Sequence, residues 1–235
     1  MDLTDVFSQS LLNEVVGITA LSFRVTGLAV AAAALLAIPL GSLLALFDFR
    51  GKGVLVTLIN TLMGLPPVVV GLMLYLVLSR SGALGPLDLL YTPTAMIMAQ
   101  FIMAIPIIMG LSYSAVSAVP QRLVERTISL GATRNQLAIV IIREARVGIL
   151  ASIVAAFGGA ISEVGAIMLV GGNIRYFTRA LTTAIVLYTN MGEFGMAITL
   201  GLILLATSFM INLFLTYLQM KDLGKRGPKL PKGVD

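Results

Sequence analysis

Five stretches of this sequence are long and apolar enough to cross a lipid bilayer, and nothing else in it limits the fold as much. A hydrocarbon core about 30 Å thick asks for about 20 apolar residues at 1.5 Å each, and residues 18–47, 54–79, 93–118, 146–170 and 194–219 meet that length. Apolar residues make up 58% of the 235-residue chain and charged ones 11%, against the roughly 45–50% apolar usual for soluble domains. With no water at membrane depth, backbone groups must pair within each segment, so the spacing predicts an all-α integral membrane bundle. The apolar segment 178–190 is too short to span and reads as a re-entrant or interfacial half-helix on the outer side.

Orientation follows from the basic residues. Arg50, Lys52, Arg122, Arg126, Arg134, Arg143, Arg146, Lys221, Lys225, Arg226, Lys229 and Lys232 fall on one side of the five spans, whereas only Arg80, Arg175 and Arg179 fall on the other. Positive charge accumulates on the cytoplasmic face, so the loop 119–145 and the C-terminus are cytoplasmic and the N-terminus lies outside. The expected organisation is an extracytoplasmic N-terminal segment 1–17, a transmembrane domain 18–219 and a basic cytoplasmic tail 220–235. The N-terminal segment has no basic residues, so it lacks the positive start of a cleaved signal peptide and is expected to stay in the mature chain. The formal charge of +5 thus describes topology and gives no reason to expect nucleic acid as a partner. The absence of Cys and His removes thiolate and imidazole metal sites and every catalytic arrangement that depends on them. No catalytic residue, metal or cofactor is expected.

Pro39, Pro66, Pro67 and Pro106 lie inside the first three spans, where each removes a donor and bends the helix unless neighbours satisfy the freed carbonyls. Ala151, Ala155 and Gly159 repeat every four residues along the fourth, a small-residue face that admits another helix closely. A symmetric dimer is the expected unit.

The cytoplasmic loop divides itself by capping chemistry. Pro120 suits a first helical position, Gly131 a left-handed helix end, and Thr133 with Gln136 a capping box opening a second helix that runs into the fourth span. Leu123, Val124, Ile128 and Leu130 put apolar surface on the first short helix. Such a helix either lies on the membrane surface or docks on a partner. The segment from Glu125 through Gly131 to Ile141 resembles the signature E-A-A, three residues, Gly, nine residues, I-x-L-P of the permease subunit of type I ATP-binding-cassette importers. Arg126-Thr127 stand for the two alanines and Arg143-Glu144 for Leu-Pro. The stretches GLPPVVVGLMLYLVLSRSGALG, GGAISEVGAIMLVGGNI and GGNIRYFTRALTTAIVLYTNMGEFGMAITLGLILL extend the resemblance to the molybdate and tungstate branch, most of all to tungstate permeases. The resemblance implies a type I importer transmembrane domain. It also implies a coupling loop in which Leu123, Val124, Glu125, Ile128, Gly131 and Arg134 meet a separate ATPase, two copies of it, with a second copy of this chain and an extracytoplasmic oxyanion-binding protein. No G-x-x-x-x-G-K-[ST] phosphate loop occurs, so ATP must be hydrolysed on another polypeptide. Sulfate or another small oxyanion is the alternative cargo.

Arg24 and Glu163 are ionisable at similar membrane depth, and a pair between them would fix helix positions or act in gating. Arg175 and Arg179, four residues apart beyond the fourth span, offer forked donors to an oxyanion, with Gly171, Gly172 and Asn173 as an amide nest and Thr182 and Thr183 as added hydroxyls. Alternatively the arginines pair with acidic residues of a docking protein. A stand-alone channel or ion-coupled transporter is the competing reading, but such transporters use several intramembrane acids, and inverted repeats are not evident. An intramembrane enzyme would find almost no catalytic groups.

Overall fold

The computed structural model describes residues 3–223, so the tail beyond Leu223 lies outside the described residues. The fold is helical, as the spans demanded. Helix α1 (Leu3–Leu46) leads through a turn at Gly51 to α2 (Lys52–Met63) and α3 (Pro67–Leu78). Then come α4 (Pro93–Ser117), the short α5 (Gln121–Ser129), α6 (Arg134–Ile161), α7 (Gly165–Gly171), α8 (Leu181–Asn190) and α9 (Phe194–Leu223). Three of these helices are single spans by length and hydropathy, and two bent pairs complete five.

The second span is α2 plus α3, bent by 95°. Gly64 ends α2 and Pro66 precedes α3, whose first residue is Pro67. Pro67 keeps Pro66 out of the helical region, and Pro67 itself suits a first helical turn, where no donor is needed. The fourth span was expected as one apolar run over 146–170; instead α6 and α7 meet at a 59° bend over 162–164. Pro39 and Pro106 sit within continuous helices. Helix α1 is 44 residues long, about 66 Å, more than twice what a bilayer core requires, so from Leu3 onward the expected N-terminal segment is helix continuous with the first span. The expected half-helix is α8.

Small residues set the packing. Ala33, Ala37, Ala104, Ala156 and Ala160 form one buried cluster with Val30 and Ile108 where α1, α4 and α6 cross. A Cβ at Gly41 would lie 2.5 Å from the Met109 carbonyl oxygen, so α1 and α4 approach at backbone contact there. In lipid such contact replaces the hydrophobic effect as the force between helices. The inward face of α6 is Ala145, Ile149, Ser152, Ala156 and Ala160, and the adjacent row of Ala151, Ala155 and Gly159, the expected small-residue face, is exposed on the outside of the bundle. Ser112 and Ser152 share a buried hydrogen bond of 3.2 Å between α4 and α6.

The α3–α7 contact depends on one glycine, because a Cβ at Gly71 would lie 2.7 Å from Ala166 Cα. Gly71→Val should lower the thermal midpoint of the purified protein, through an overpacking cost of about 1–3 kcal/mol. Gly27→Ala, at a helical glycine with nothing within 4 Å, should leave it unchanged or raise it.

Candidate functional site

On the cytoplasmic side the loop has the expected helix–turn–helix form. Gly131 adopts φ +80°, Thr133 Oγ1 accepts from the Gln136 amide (3.4 Å), and Gln136 Oε1 accepts from the Thr133 amide (2.8 Å). Pro120 takes the position before α5, one residue earlier than expected. The apolar residues divide in two directions. Val124 packs with Leu137 against the cluster of Val116, Ile141, Ala145 and Ile149, whereas Ile128 and Leu130 are 55% and 81% exposed. Ile139 on α6 is also exposed, at 57%. Glu125 and Arg134 are exposed as well, and Leu123 is half-buried.

At mid-bundle the two helix breaks face one another across a cavity of about 150 Å³, lined by Leu62, Met63, Met103, Ile107, Gly159 and Glu163 among others. Beside it, side-chain hydrogen bonds gather at the α6–α7 break. Gln100 Nε2, on buried α4, donates to the Ala160 carbonyl (2.8 Å), and Thr182 Oγ1 donates to the Glu163 carbonyl (2.8 Å). Glu163 Oε1 accepts from the Ala166 amide (3.0 Å) and so caps α7. The expected Arg24–Glu163 pair does not form: Glu163 spends its carboxylate on the helix start, and Arg24 lies exposed on α1. Thr182 was expected as a free hydroxyl, but it is part of this latch. Thr183 caps α8 by accepting from the Ala180 amide (2.9 Å).

Arg175 and Arg179 do come together, on a carboxylate 161 and 165 positions before them in the chain. Glu14, on α1, accepts from Arg175 Nη2 (2.5 Å) and Nε (3.2 Å), Arg179 Nη1 (3.1 Å) and the Tyr188 hydroxyl (3.2 Å). The Glu14 side chain is 1% exposed, against 12% for Arg179 and 56% for Arg175. Hydrogen bonding to Glu14, followed by its charge, raises the Arg175 guanidinium above its ordinary value. The cluster ties the outer half of α1 to the loop after α7. The Gly171-Gly172-Asn173 turn has left-handed residues at Gly172 and Asn173, but the Gly172 amide already donates to the Met168 carbonyl (3.0 Å). The Gly171 carbonyl is taken by Thr178 Oγ1, and the buried Asn173 Oδ1 is an acceptor, which disfavours an anion. Only residue contacts more than 160 positions apart reveal Glu14's role.

The family described as binding-protein-dependent transport system inner membrane component matches residues 37–221. A probable anion ABC transporter permease protein of Haloferax volcanii is 47% identical over 206 residues, covering 86% of this chain and 89% of that protein. A tungstate uptake system permease protein of Peptoclostridium acidaminophilum is 44% identical over 199 residues, covering 85% and 87%. Among solved structures, the inward-facing MetNI methionine ABC transporter is similar with a TM-score of 0.69 at 16% identity, covering 94% of this chain and 99% of that one. A bacterial alginate importer gives 0.68 at 20%, covering 88% and 79%. These two likenesses concern the fold.

Glu14→Gln should lower the thermal midpoint strongly, by on the order of 3 kcal/mol, because it leaves Arg179 buried without its counter-charge. Arg175→Gln removes a half-exposed partner and leaves the carboxylate its bonds to Arg179 and Tyr188, so it should cost far less. Equal losses in thermal melts of the two variants would refute the view that the buried carboxylate organises the cluster.

Proposed function

The chain belongs to the family of binding-protein-dependent transport system inner membrane components, the permease subunits of ATP-binding-cassette importers, and from that premise we propose that its cargo is a tetrahedral oxyanion, tungstate before molybdate or sulfate. The observation that carries this reading is the 44% identity to a tungstate uptake permease along 85% of the chain, joined by a probable anion permease at 47%. The cavity between the helix breaks suits a conduit, since an apolar wall with one committed carboxylate would not hold a dianion tightly, and a pathway must let its cargo leave.

In the working complex two copies of this chain pack together, two ATPase subunits sit on the cytoplasmic face, and a binding protein delivers cargo outside. The exposed face of Ala151, Ala155 and Gly159 supports close approach of a second copy. Exposed Ile128 and Leu130, anchored through Val124 to the bundle, support α5 as the ATPase-docking helix. Glu125, Gly131 and Arg134 belong to the same surface. In this reading Arg175 and Arg179 brace α1 against the loop after α7, and Arg175, half-exposed, is the member of the pair that an arriving anion or a docking protein could reach.

Reconstitution with the cognate ATPase and binding protein in proteoliposomes tests the whole reading. ATP-dependent uptake of tungstate should exceed that of molybdate and sulfate. Uptake without ATP, or preference for a cargo that is not an oxyanion, would overturn it. Gly131→Val should assemble poorly with the ATPase and lose transport-coupled hydrolysis, since a β-branched residue cannot hold φ +80° cheaply. Normal coupling in that variant would remove α5 from the docking role.

A further inference from the structure

Three basic residues were assigned to the outer face, and two of them are already engaged with Glu14. The third, Arg80, is exposed just after α3 and has no ion-pair partner among the described residues. It borders an open cavity of about 560 Å³ whose wall also includes Tyr75, Ser79, Asp88 and Tyr91. Ser79 spends its hydroxyl hydrogen on the Leu76 carbonyl (2.9 Å), and the Tyr75 and Tyr91 hydroxyls hydrogen-bond each other, so the donors left to a ligand are the forked guanidinium and the outward hydrogen of that phenol pair. Those rings meet edge to face, with centroids 6.3 Å apart. The loop holds two non-glycine residues in the left-handed region, Asp88 at φ 46° and Tyr91 at φ 63°, a conformation that persists only where surroundings enforce it.

Here the enforcement comes from the pathway helix. The Tyr91 amide donates to the Val170 carbonyl near the end of α7 (2.8 Å). Its ring lies so near Gly172 that a Cβ there would come within 2.7 Å of Tyr91 Cδ1. One wall of the cavity is therefore fastened to α7, whose other end, about 10 Å away, starts beside Glu163 and the central cavity.

We propose that this cavity is the outer receiving site for the tetrahedral oxyanion, with Arg80 as its principal ligand, the phenol pair of Tyr75 and Tyr91 as a neutral donor, and Asp88 as the opposing charge that keeps binding loose. The proposal rests on the oxyanion reading given above. A guanidinium presents two parallel donors to a tetrahedral anion, while a carboxylate in the same space repels it, so the two charged residues make predictions of opposite sign.

The test uses the full complex of permease, ATPase and binding protein in proteoliposomes, with tungstate as the probe. Arg80→Gln should lower uptake about tenfold, the loss expected for one charge-assisted anion contact, and Arg80→Lys should restore part of it. Binding-protein affinity and ATPase association should stay at wild-type values. In equilibrium dialysis of the permease–ATPase complex, tungstate retained should fall in Arg80→Gln and rise in Asp88→Asn, where asparagine tolerates the left-handed backbone. Undiminished uptake by Arg80→Gln, or lost affinity for the binding protein, would overturn the site while leaving the oxyanion reading in place. A wild-type complex that carries no tungstate, molybdate or sulfate would instead overturn that reading, and the site with it.

Discussion

A carbonyl freed by a helix break inside a membrane has no water to turn to, and the central architecture of this protein follows from how its breaks are satisfied. Around the α6–α7 bend Ser162 donates back to the Gly158 carbonyl (2.6 Å), and three more side chains complete the satisfying. Gln100 reaches the Ala160 carbonyl from α4, Thr182 reaches the Glu163 carbonyl from the start of α8, and the Glu163 carboxylate caps the first turn of α7. Each bond comes from a different element, so the bend is a junction of α4, α6, α7 and α8 rather than a local irregularity. At the α2–α3 bend Pro66 and Pro67 leave no amide of their own to satisfy, and the Pro66 carbonyl accepts from the Val69 and Val70 amides (2.9 and 3.3 Å). The cavity lies where the two bends face each other.

Much of the outline was legible in the sequence because membrane depth writes itself as length and hydropathy. All five spans, the half-helix and the sidedness of the loop came from runs of apolar residues and the distribution of Lys and Arg. The capping box at Thr133 and Gln136 and the left-handed Gly131 were legible for another reason: both are local, decided within four residues. The α6–α7 break was not, because its sequence, Gly158 to Gly165, has no proline. It is stabilised by Gln100 and Thr182, which arrive from elsewhere in the chain.

Charge pairing was the least legible part. Matching charges by depth alone joined Arg24 to Glu163, but a carboxylate beside a helix start already has a donor, and Glu163 takes the Ala166 amide. Glu14 stands in the outer segment with nothing local to pair it, and its 1% exposure arises only because α8 brings Tyr188, and the loop before it brings Arg175 and Arg179, onto α1. Which helix a small-residue repeat meets is hard to read for a related reason. Ala151, Ala155 and Gly159 have the right spacing, yet the neighbouring row is the one facing α1 and α4, and spacing alone does not say which of two adjacent rows faces inward.

Helix α6 links the two ends of the molecule. It begins at the capping box beside the exposed apolar patch of α5 and ends at the break lining the central cavity, 28 residues later, about 42 Å along its axis. It contains no proline, and its inward side is buried against α1 and α4 through alanines, which favours sliding or tilting as a rod over bending. A displacement at the start of α6 therefore reaches the junction of Gln100, Thr182 and Glu163 along one continuous helix. At that junction the rod ends, and the motion must be taken up by the bonds that hold the bend, so the side chains that make the break tolerable in lipid are also those that any movement of α6 has to stretch or exchange.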